Sequence, residues 1–181
     1  MSTVVDGLYD RYQLIVDYLE EHGEVTFASD LRELQAKVIL LAAASYFEDE
    51  VKSCILEFFT NASKGHGMVY EFVRKRALER QYHTLFDWDA KNVNVFWQLF
   101  GSEFRKYAEN RLKADANLSE GAGAFVRIGS WRNSLVHNNY ASFTLDSTAA
   151  EIYESYKKAL VFLRRLPAVL AEFPAPPAVE G

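Results

Sequence analysis

Between Asp30 and Asn61 the sequence carries one helical pattern with no break, and no other feature restricts the possible folds so strongly. Asp30 followed three residues later by Glu33 reads as a capping box. Behind it, Leu34, Val38, Leu41, Ser45, Glu48 and Lys52 track one stripe, while Phe47, Val51, Cys54, Ile55 and Phe58 widen the apolar side. A helix over about 30–61 is expected. An apolar surface of that length needs other helices to cover it, and the rest of the chain supplies them.

Leu8, Tyr12, Ile15, Val16 and Leu19 recur at helical spacing before Gly23, which predicts a first helix over about 8–22. After the loop "NASKGHG", Met68, Phe72, Leu78 and Tyr82 mark a third helix over about 67–83. Its opposite face carries Arg74, Lys75, Arg76 and Arg80. Val95, Phe96, Leu99, Phe104, Tyr107 and Leu112 continue helical material to about 116, bent at Gly101. Ser119 opens a helix through Phe125, Ile128, Trp131 and Leu135. Thr148 with Glu151 caps a final helix that Pro167 ends or kinks. No strand alternation, repeat or glycine-rich phosphate loop is present, so the expected fold is an all-α bundle of about five to six helices. The expected divisions are an N-terminal helix in 1–28, a helical domain in 29–166 and a disordered proline-rich tail in 167–181.

Composition narrows the function classes. A chain of 181 residues with 49% hydrophobic and 25% charged residues suits one globular domain. No apolar run reaches the roughly 18 residues of a membrane span, and one cysteine cannot form an internal disulfide, so a cytoplasmic setting without membrane contact is expected. Cys54 lies on an apolar helical face and reads as a core residue rather than a nucleophile. His22, His66 and His83 stand apart from cysteines and paired carboxylates, so no metal site or other cofactor is expected. The net charge of −5 argues against a generally adhesive nucleic-acid binder, but the charge is uneven. Residues 1–63 hold 4 basic and 12 acidic side chains, whereas residues 64–132 hold 12 and 8. A surface facing phosphates belongs in the middle third.

That middle third ends in "WRNSLVHNN", residues 131–139. Arg132 and His137 are five apart, which rotates one about 140° from the other on a regular helix. Either the helix loosens before His137, or the pair is assembled against a second copy across a two-fold axis. Arg132, Asn133, the apolar Leu135 and Val136, and His137 resemble the R-N-xxx-H signature of HEPN domains. The flanking order is similar too: a long helix containing "AAASYFEDEV", intervening helices, the motif, then a capped terminal helix. This resembles the branch of the family associated with RiboL-PSP, over about residues 29–166. Asn138 departs from the pattern, since many relatives have glycine there.

The resemblance implies a metal-independent endoribonuclease of a toxin or antiviral-defence system, active as a homodimer, with an antitoxin or other defence protein as a further partner. Its implied catalytic residues are Arg132, His137 and Asn133, with Glu48 and Asp49 as auxiliary residues from the long helix. The chemistry agrees. RNA cleaves when its 2′-hydroxyl is deprotonated and aimed at the adjacent phosphate, which needs a base that titrates near neutrality and a cation for the growing charge. An imidazole and a two-pronged guanidinium are such groups. Other readings stay open. His137 at a helix end stabilises the helix dipole, and Arg132 has Glu48 or Asp49 as candidate structural partners. Arg74, Lys75, Arg76 and Arg80 are either a solvated face or an RNA backbone track. Trp88, Trp97 and Trp131 read as core, with Trp131 also placed for a dimer contact or a base platform. The alternative function is a non-catalytic HEPN module that binds nucleotide, RNA or protein.

Overall fold

The computed structural model describes residues 2–174 and is all-α, with no strand among the described residues. Seven α-helices follow in order: α1 (Val4–Glu21), α2 (Val25–Ala62), α3 (Gly67–Val73), α4 (Asn94–Gln98), α5 (Ser102–Ala114), α6 (Ala116–His137) and α7 (Ala149–Ala171). The count exceeds the expected five to six because Gly101, with φ of 101°, separates α4 from α5 instead of bending one helix. An alanine there would be strained, since that backbone angle is open mainly to glycine.

Helix boundaries follow local hydrogen bonding. Thr3 caps α1 through a reciprocal bond pattern with Asp6, so α1 starts four residues before the first residue of the expected stripe. Gly23, at φ of 76°, then turns the chain directly into α2. The expected capping box at Asp30 and Glu33 is therefore absent: both lie inside α2, whose first residue is Val25, and Glu33 instead pairs with Lys37. Asp115, not Ser119, caps α6 by accepting from Leu118 N at 3.0 Å. Thr148 and Glu151 do cap α7 as read, and α7 runs through Pro167 to Ala171. The expected tail begins inside that helix, and its residues 175–181 lie outside the described residues.

The core is a layer between α2, α6 and α7. Ile39, Leu40, Ala43, Phe47, Val51 and Ile55 of α2 are buried and face Phe125, Ile128 and Leu135 of α6 and Ile152, Tyr156, Phe162 and Leu166 of α7. Phe47 stacks on Phe125 at 5.3 Å and on Tyr156 at 5.5 Å, which fixes where the three helices meet. Gly121 lets α6 and α7 approach closely, since a Cβ there would lie 2.9 Å from the Lys158 carbonyl oxygen. The Leu34–Lys52 stripe is not the core face. Leu34 is 44% exposed and Ser45 is exposed, and the stripe leads instead into a surface cleft.

The third expected helix is shortened. After α3 the chain makes a π-helical turn over Arg74–Leu78 and leaves the helix at Glu79, and a single 3₁₀ turn follows at Tyr82–Thr84. Met68 and Phe72, expected on its core face, are 75% and 67% exposed, while Val73 and Leu78 turn inward.

Candidate functional site

α6 remains a regular α-helix through His137, so the helix does not loosen ahead of the histidine. Arg132 and Asn133 face a cleft of about 450 Å³ that α2 borders with Leu41, Ser45 and Glu48, and the segment after the π turn borders with Arg80, Tyr82, His83 and Trp88. His137 does not line this cleft; it is exposed one turn beyond Asn133, at the C-terminus of the helix. The regular geometry explains the separation, because five helical residues turn the side chain well away from that of Arg132.

Arg132 has no ion pair among the described residues, although it is half-buried beside Glu48. Glu48 pairs with Lys52 one turn along α2, and neither of the candidate partners, Glu48 and Asp49, forms a salt bridge to Arg132. Lys52 in turn sits 5.9 Å from the centre of the Tyr82 ring. Burial, reinforced by the Glu48 carboxylate and only partly offset by Arg132, pushes the Tyr82 phenol well above its usual range. Tyr82 is thus a neutral hydroxyl at the cleft wall. Asp49 is exposed and away from the cleft.

The basic run divides. Arg74 is held by Glu71 at 2.8 Å and Glu79 at 2.7 Å, and Lys75 by Glu71 at 3.3 Å. Arg76 is exposed and does not line the cleft. Only Arg80 of the four reaches it, and it does so from a left-handed backbone, φ 59°. The sequence reading missed Tyr82, His83 and Trp88 as cleft residues: it placed Tyr82 on the apolar stripe of a helix over 67–83 that in fact ends at Leu78, and His83 and Trp88 follow in an irregular segment with no periodicity to read. Trp88 is fixed by its indole N–H donating to the His83 carbonyl at 3.2 Å and by lying flush on Gly129, where a Cβ would come within 2.0 Å of its ring. Gly129 sits three residues before Arg132 on α6, and no local sequence pattern marks its contact with Trp88.

The turn after the motif is built by asparagines. Asn138 has an extended backbone, φ −105° and ψ 168°, so its position requires no glycine. Its side-chain amide donates to the Ser134 carbonyl at 2.6 Å and satisfies the end of α6. Asn139 closes the next turn, its carboxamide oxygen accepting from Ala141 N at 3.1 Å. Buried Lys37 of α2 donates to the Tyr140 carbonyl at 3.3 Å, pinning the turn, and with it the His137 end of α6, to the long helix.

Leu135 is fully buried in the core, whereas Val136 is 42% exposed. Trp97 is buried as read, and Cys54 packs against the core, where burial pushes its thiol up to about 12. Among the described residues no group of three or more His, Cys, Asp or Glu side chains is placed to hold a metal ion, and no helix is long and apolar enough to cross a membrane. The RiboL-PSP-HEPN family profile matches residues 6–172, which takes in α1 as well as the expected domain. No curated protein and no solved structure matches the chain. With nearly its whole length matched, helix order and R-N-xxx-H segment included, the chain belongs to the RiboL-PSP-HEPN family.

Proposed function

We propose that this protein is an endoribonuclease that cuts RNA by attack of a 2′-hydroxyl on the adjacent phosphorus, acting as a toxin or antiviral-defence effector in the cytoplasm. The observation that carries the reading is the unpaired guanidinium of Arg132 in a cleft beside Asn133 and Arg80, on the same helix as an exposed His137. Arg132 grips two phosphate oxygens and stabilises the charge that builds on them. Asn133 orients the phosphate. His137 takes the proton from the 2′-hydroxyl, the new P–O bond forms, and the bond to the 5′-oxygen breaks. An imidazolium returns a proton to that oxygen, so the products are a 2′,3′-cyclic phosphate and a 5′-hydroxyl. The steps require a base, a cation and a proton donor, and no metal.

The site is composite in this reading. One copy turns Arg132 into the cleft and His137 away from it, so base and cation come together when a second copy presents its His137 across a two-fold axis. Val136 and Tyr140, both more than 40% exposed, flank that histidine and supply apolar contact. Cleavage of a mixed RNA pool by the purified protein in EDTA, with cyclic phosphate ends on the products, is the expected result. Activity that disappears with chelator and returns with magnesium overturns the mechanism. A dimer that binds RNA and leaves it intact assigns the fold to binding alone.

A further inference from the structure

A second pocket, of about 490 Å³, opens on α6 beside the Arg132 cleft, and Trp88 borders both. Trp88 and Trp131 supply its aromatic surface, Lys91 and Arg127 its cations, and Asp89 its one carboxylate. Neither Lys91 nor Arg127 is ion-paired among the described residues. Two features of the chain shape this pocket. Lys91 adopts φ of 54°, a left-handed conformation that it shares with Lys64 and Arg80, and lines the pocket from that turn. Gly123, in the middle of α6, has nothing within 4 Å of where its Cβ would be, so packing does not account for the missing side chain as it does at Gly121 and Gly129. Its absence keeps the pocket floor open.

We propose that this pocket holds the nucleotide next to the cut in a single-stranded RNA, its base against Trp131 and Trp88 and its phosphate between Lys91 and Arg127. The ligand class follows from the pairing of indole faces with unpaired cations, the combination that grips a base and its backbone together. The shared Trp88 makes the path continuous with Arg132. The proposal rests on the nuclease reading for its place in the reaction, but not for its binding.

The test uses the full chain and a hexanucleotide with every 2′-hydroxyl methylated, which no 2′-hydroxyl attack can cut. Binding should quench tryptophan emission. Trp131→Ala should weaken affinity about tenfold or more, the range for loss of one stacked base. Lys91→Gly should also weaken it and flatten its salt dependence by about one phosphate contact, while its melting temperature holds or rises as backbone strain is released. Gly123→Leu should fill the pocket and block binding in a protein that still folds. If these variants bind as tightly as wild type, the subsite is wrong even where wild type cleaves RNA. If binding depends on Trp131 but wild type cuts no RNA, the nuclease reading falls and the subsite stands. Emission that follows protein concentration and ignores the oligonucleotide makes the surface a contact between copies and overturns the proposal.

Discussion

Arg132 is half-buried beside a carboxylate that is already committed to Lys52, so no ion pair among the described residues accounts for it. Removing a structural ion-pair partner destabilises the fold, whereas removing an unpaired guanidinium costs mainly function. His137→Ala should slow RNA cleavage by roughly 10² to 10⁴, the usual contribution of a general acid–base group, with the melting temperature close to wild type because the residue is exposed. Arg132→Lys should also be poor, since it keeps charge and loses the two-pronged grip. Paired rate and thermal-melt measurements check both. A large fall in melting temperature with an unchanged rate would return the two residues to structural roles. The motif was legible in the sequence because its residue types and spacing are local. The fate of its neighbours was not: whether Glu48 turns to Lys52 or to Arg132, and whether Leu135 faces core or solvent, is decided by helices distant in sequence.

The elements divide along the same line. The cap of α7 was legible because Thr148 and Glu151, three residues apart, bond to each other. Asp30 and Glu33 have the same spacing and cap nothing, since the turn at Gly23 had already started α2. On α2 two apolar stripes compete. Helical periodicity alone does not say which one meets α6 and α7, and the stripe through Leu41, Ser45 and Glu48 lines the cleft. The small residues of α6 resolve the choice by letting neighbours close in. Gly129→Ala should show this most clearly, because the added methyl meets the Trp88 ring at 2.0 Å. The expected cost is about 1–3 kcal/mol of unfolding free energy in urea, together with loss of cleavage as Trp88 is displaced from the cleft. Wild-type stability in this variant would mean that Trp88 does not pack there.

At the scale of the molecule, the first and last helices are fastened by one buried carboxylate, Asp6 of the Thr3 cap, whose link to α7 no sequence pattern marks. Asp6, 4% exposed, accepts from the Tyr153 hydroxyl at 2.7 Å, from Lys157 at 3.0 Å and from Thr3 N at 2.6 Å. Burial opposes its charge, but these hydrogen bonds outweigh the penalty and hold it well below the usual carboxylate range. A depressed folded value means that the stabilisation is complete above the unfolded value of about 3.9 and is lost as pH falls below it. Asp6→Asn should therefore destabilise the protein by about 1–3 kcal/mol at pH 7 and narrow its gap to wild type near pH 3, as followed by urea unfolding. A constant gap between those pH values would mean that the charge contributes nothing. The larger question is whether two copies complete one site, and mixing two inactive variants addresses it. Arg132→Ala and His137→Ala dimers, each silent alone, should regain about a quarter of wild-type cleavage in EDTA after unfolding and refolding together. Half of the random dimers are then mixed, and each mixed dimer keeps one intact Arg–His pair. A mixture that forms mixed dimers yet stays as silent as its parents would contradict a site shared between copies, and a wild-type dimer that leaves RNA uncut would contradict the nuclease itself.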